Sequence, residues 1–93
     1  MKVKHITLQA NTVTHVELPV KTGAILVKNF TDGDLLVNIE KDDFTEDYVR
    51  IPAMTGELLN ENELQSSTKA YFFDDLYLNS TVGGDVEIRC IRM

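Results

Sequence analysis

The chain has 93 residues, 43% of them apolar and 26% charged, the length of one domain (residues 1–93) with the balance of a globular one, which argues against disorder, collagen-like sequence or a second core. Fifteen acids against nine bases give a net charge of −6. The bases are scattered, so neither nucleic acid nor an anionic membrane is an expected partner.

The dominant period is two, the repeat of half-buried strands. His5–Leu8 alternates with Ile6 and Leu8 on one face, and Thr12–Leu18 with Val16 and Leu18 on one face and His15 and Glu17 on the other. Pro19 is expected to end that second strand, because it has no N–H for a ladder. Ala24–Phe30 is aliphatic, Thr31-Asp32-Gly33-Asp34 carries turn chemistry, and Leu35–Glu40 alternates with Leu35, Val37 and Ile39 inward. These two runs read as the arms of a hairpin. Lys41–Asp47 reads as an acidic loop, Tyr48–Ile51 as a short strand closed by Pro52, and Gly56–Asn60 as another short strand. Asn60–Lys69 reads as a polar loop, Ala70–Asn79 as an aromatic-rich strand and Asp85–Arg92 as the last strand, with Val86, Ile88 and Cys90 inward. Between those two strands, Gly83-Gly84 suits the positive φ angles of a tight hairpin turn.

About eight short strands with a turn signal every ten residues predict an all-β fold: a single-domain antiparallel β-sandwich or jelly-roll-like barrel. The core expected from the alternation is Val16, Leu18, Leu26, Val37, Ile39, Ile51, Leu76, Leu78, Val86 and Ile88. Phe30, Phe72 and Phe73 are read as packing residues. Several strands are apolar on both faces, and a second set, Ile25, Val27, Leu36, Phe73, Tyr77 and Ile91, reads as an oligomer interface that a monomer would leave in water.

Reactive constellations are sparse. The histidines, His5 and His15, sit on separate predicted strands without an evident third metal ligand. In the acidic loop Asp42, Asp43, Glu46 and Asp47 offer oxygen ligands to calcium, but without the spacing or glycine of an EF-hand loop, so a solvated loop is the favoured reading. The single cysteine, Cys90, falls on an inward face and reads as a small hydrophobe. No nucleophile elbow, Walker loop or dinucleotide fingerprint occurs. The expectation is a protein that is not an enzyme and carries no cofactor. A small hydrolase would need a cleft joining His15 to a carboxylate and a hydroxyl. The sequons Asn29-Phe30-Thr31 and Asn79-Ser80-Thr81 read as coincidental, with no apolar signal segment to send the chain for glycosylation.

The order Ile25-Leu26-Val27-Lys28-Asn29-Phe30, Thr31-Asp32-Gly33-Asp34, Leu35-Leu36-Val37-Asn38, then Tyr48-Val49-Arg50-Ile51-Pro52-Ala53 and finally Leu76–Ser80, Gly83-Gly84-Asp85 and Val86–Arg89 covers nearly the whole chain. It resembles the small β-sandwich accessory proteins of tailed bacteriophages, of the capsid-decoration and head-fibre type. The resemblance implies a structural protein of a phage or prophage virion, made in the bacterial cytoplasm without a signal peptide. It further implies a homo-oligomer, a trimer by analogy, seated on a capsid or other virion protein. It brings no catalytic residues. The alternative is a small carbohydrate- or ligand-binding sandwich module, with calcium on the acidic loop.

Overall fold

A computed structural model describes residues 2–38, 48–60 and 73–92. The alternating segments form eight strands: β1 Lys2–Leu8, β2 Thr14–Thr22, β3 Ala24–Asn29, β4 Leu35–Asn38, β5 Val49–Ile51, β6 Thr55–Asn60, β7 Phe73–Ser80 and β8 Gly84–Arg92. They make two four-stranded sheets, β1-β8-β3-β6 (sheet A) and β2-β7-β4-β5 (sheet B), with every pairing antiparallel. This is the β-sandwich expected from the sequence, and its strand order is that of a jelly roll.

The inner faces share one apolar core. Leu8, Ile25, Val27, Leu59, Val86, Ile88 and Cys90 come from sheet A, and Val16, Leu18, Leu35, Val37, Ile51, Leu76 and Leu78 from sheet B. Eight of the ten expected core residues are among them. Ile39 lies outside the described residues. Leu26 is a correction: it is half-buried and faces outward, while Ile25 and Val27, expected at an oligomer interface, are fully buried at 0% exposure. Ala24–Val27 is apolar at four successive positions, so its own alternation does not reveal which face turns inward. The phase comes from its neighbours, because Ile25 lies opposite Leu59 and Cys90, and Val27 opposite Ile88.

The two hairpins are corrections as well. β3 and β4 do not pair; they lie in different sheets, and so do β7 and β8. Among the described strands only β4 and β5 are both consecutive and paired, with Leu35 opposite Ile51 and Val37 opposite Val49. At the β3–β4 crossing Asn29 points inward at 1% exposure. Its amide nitrogen donates toward the carbonyls of Gly33 (2.9 Å), Ile51 (2.9 Å) and Pro52 (3.1 Å). Its Oδ1 accepts from the Thr31 amide at 2.9 Å and lies 2.7 Å from the Thr31 hydroxyl. One buried side chain thus ties the end of a sheet A strand to carbonyls at the end of sheet B. That arrangement also explains the first sequon: Asn29 and Thr31 are there to satisfy each other and the crossing.

Pro19 does not end β2, which runs on to Thr22. β2 is an edge strand, and its register against β7 shifts between Glu17 and Thr22, so Pro19 sits where no ladder donor is required. The acidic loop, including Asp42, Asp43, Glu46 and Asp47, lies outside the described residues, as does Phe72.

Candidate functional site

The outer face of sheet A gathers side chains from all four of its strands. Cross-strand register places Leu58 of β6 opposite Leu26 of β3, Leu26 opposite Arg89 of β8, and Arg89 opposite Val3 of β1. Ile91 stands two residues further along β8 on the same face. Leu58, Ile91 and Val3 are 52%, 45% and 42% exposed. An apolar row with a single arginine in it therefore crosses the sheet from one edge strand to the other.

One row along, Lys28 lies opposite Glu87 and Glu87 opposite His5. Glu87 accepts a 2.7 Å bond from Arg89 Nε, and its Oε1 is 3.6 Å from His5 Nδ1. The Glu87 side chain is 15% exposed and His5 is 74% exposed, so the histidine leans over a shielded carboxylate. Beyond it, Thr7 Oγ1 donates to Asp85 Oδ1 at 2.9 Å. The Phe30 amide donates to the Asp85 carbonyl at 3.1 Å, which carries the β3–β8 ladder one residue past β3. Alternation then turns the Phe30 ring outward, and it is 49% exposed. Phe30 is therefore not a packing residue, contrary to the sequence expectation. His5, Ile6, Thr7, Phe30, Asp85, Val86 and Glu87 line an open cleft of about 410 Å³.

The outer face of sheet B carries a different set. His15 of β2 lies opposite Tyr77 of β7, their rings stacked at 4.8 Å, and His15 Nε2 is 3.1 Å from Asp75 Oδ2. Leu36 and Tyr77 are half-buried there, Leu36 opposite Asn79 and Tyr77 opposite Asn38. Phe73 is placed by its backbone, opposite Thr22. The expected interface set is thus divided three ways: Ile25 and Val27 in the core, Ile91 outside sheet A, and Leu36 and Tyr77 outside sheet B.

His5 and His15 belong to different sheets, and among the described residues no three histidine, cysteine or acidic side chains gather into a metal-binding group. His15 meets a carboxylate, the first part of a hydrolytic constellation, but on an open sheet face with an aromatic ring beside it. Cys90 is fully buried as expected, and burial pushes its thiol above its ordinary pKa, away from the reactive thiolate. The residues that sequence reasoning missed are Leu58, Phe30 and Val3. The doublet Leu58-Leu59 at an edge strand is the only local hint of the first. For Phe30, the available signal is its place one residue past an inward asparagine.

Compared with known proteins, the chain matches no family model, no curated protein and no solved structure.

Proposed function

We propose that this chain is a non-enzymatic structural subunit of a phage or prophage virion, a decoration or head-fibre type accessory that assembles on the particle as a homotrimer. The observation that carries the reading is the apolar row of Val3, Leu26, Leu58 and Ile91 on the outer face of sheet A. Removing such side chains from water is worth roughly 25 cal/mol per Å², and a domain of this size has little core with which to offset an exposed row. A second copy suits the face because Lys28, Arg89 and Glu87 beside the row offer both signs of charge to an identical surface. The jelly-roll order supports the virion reading by analogy only, since capsid domains and lectins share it. The trimer and the virion setting come from the sequence resemblance.

Light scattering on a sizing column should return three times the chain mass, and Leu26→Asp with Leu58→Asp should return a folded monomer. A wild-type monomer at tens of micromolar, roughly the range where weak specific interfaces still form, would remove the assembly. The virion setting has its own test: capsid, portal or tail genes beside this one support it, and a neighbourhood of unrelated metabolic genes overturns it.

A further inference from the structure

We infer that the Phe30 cleft on the outer face of sheet A binds a hydroxyl-rich ring, a neutral saccharide, independently of any assembly through the apolar row. Its volume of about 410 Å³ lies within the roughly 300–1,000 Å³ of small-molecule sites. The cleft is two-natured. One wall is the Phe30 ring, 49% exposed. The other holds Thr7, Asp85, Glu87 and His5.

A sugar ring has the matching two natures: a face of C–H bonds that lies flat on an aromatic ring, and a rim of hydroxyls that each donate and accept. Thr7 fixes Asp85 through Oδ1, and among the described residues Oδ2 has no partner. That oxygen can accept from a ligand hydroxyl in a charge-assisted bond. His5 Nδ1 and Glu87 Oε1 stand 3.6 Å apart, too far for a good hydrogen bond of their own. A hydroxyl seated over the pair can accept from the imidazole and donate to the carboxylate.

A cationic ligand fits less well. Arg89 already occupies Glu87 at 2.7 Å, and Lys28 lies directly across from it, so the local field is close to balanced. The site is also preorganised, because its polar groups stand on paired strands β1 and β8, and the Phe30 backbone is tied to β8. Phe30, one residue past β3, stands four residues from Leu26, about 13 Å along the strand, so the aromatic wall and Asp85 lie clear of the apolar row, while the row of Glu87 and His5 borders both.

Amide NMR tests this on the intact chain. Glucose, galactose, mannose, N-acetylglucosamine and their disaccharides serve as probes, with acetyl-lysine-amide as the cationic control. The expected result is saturable shifts with at least one sugar in the millimolar range, confined to residues 5–7, 30 and 85–87. Phe30→Ala should weaken that binding at least about 10-fold, Asp85→Asn should weaken it less, and Phe30→Trp should retain it. All three substitutions, at exposed positions, should leave the rest of the spectrum unchanged. No saturable shift up to about 50 mM sugar, shifts indifferent to Phe30→Ala, or a response to the lysine probe alone would each overturn the inference. Oligomeric mass is read separately, so loss of the trimer and loss of sugar binding are distinguishable.

Discussion

The β3–β4 and β7–β8 crossings carry the chain between the same two sheets, and they do it with opposite devices. At β3–β4 a side chain does the work: Asn29 is buried and spends its amide on three carbonyls from two parts of the chain. At β7–β8 the backbone makes the turn, through Gly83 with φ of 72° and Gly84 with φ of 130°, and the buried Ser80 hydroxyl accepts from the Val82 and Gly83 amides at 3.4 and 3.2 Å. A Cβ on Gly83 would stand 2.7 Å from the Leu8 carbonyl oxygen and 2.9 Å from the Ala10 amide, so this crossing needs both the left-handed conformation and the missing side chain. The two also touch. A Cβ on Gly84 would meet the Thr31 side chain at 3.1 Å, and one on Gly33 would meet Val82 at 3.1 Å. A buried polar network is intolerant of a change in chemistry, whereas a glycine crossing is intolerant of a change in volume.

The sharpest way to break the first device is Asn29→Asp. It keeps the size of the side chain but removes both donors and sets carboxylate oxygens against the carbonyls of Gly33, Ile51 and Pro52. An unpaired buried charge of this kind should cost about 3–5 kcal/mol, a large share of what holds a domain together. Urea unfolding should show the midpoint collapse. A loss under about 1 kcal/mol would mean that water reaches the crossing.

Gly83→Ala should cost less, about 2–3 kcal/mol, combining the strain of a left-handed residue with a contact against backbone that cannot move aside. Gly84→Ala adds the strain of a φ of 130° to a contact with Thr31, whose Cγ2, Cβ and Cα would stand 3.1, 3.3 and 3.4 Å from the new Cβ. Its cost should couple to that of Thr31→Val in a double-mutant cycle by about 0.5 kcal/mol or more. Strict additivity would show that the two crossings are independent.

These crossings also show where the sequence stops speaking. Alternation places Val16, Leu18, Val37, Ile51, Leu76, Leu78, Val86 and Ile88 correctly on the core face, because polar neighbours such as His15, Glu17, Asn38, Arg50, Asn79, Glu87 and Arg89 mark the opposite face of their strands. Ala24–Val27 has no such polar marker, and Ile25 and Val27 rather than Leu26 face the core. Turn chemistry was legible too: Thr31-Asp32-Gly33-Asp34 and Gly83-Gly84 do redirect the chain. What local chemistry leaves open is the partner strand, since the same residues serve a hairpin and a crossing alike. That choice rests on contacts such as Asn29 to Ile51, 22 residues apart. The Phe30 cleft was hidden for the same reason, since a lone aromatic beside a turn looks like core until the inward asparagine before it sets the phase.

A third crossing, from β5 to β6, lets the comparison be tuned upward. Asn29 holds its first part through Ile51 and Pro52, but it turns at Met54 with φ of 58°. Here a side chain pays the left-handed penalty of roughly 1–2 kcal/mol with no glycine to avoid it, and Met54 is 64% exposed, so its burial returns little. Met54→Gly relieves the strain but loosens the unfolded chain by roughly 0.5–1 kcal/mol, for a net gain of about 0.5 kcal/mol. Asparagine tolerates this region without that entropy cost, so Met54→Asn should gain about 1 kcal/mol. The stability order expected from urea midpoints is Asn above Gly above Met. If both substitutions destabilise, the Met54 side chain contributes packing worth more than its strain, and the β5–β6 crossing is held by contact rather than by Asn29 alone.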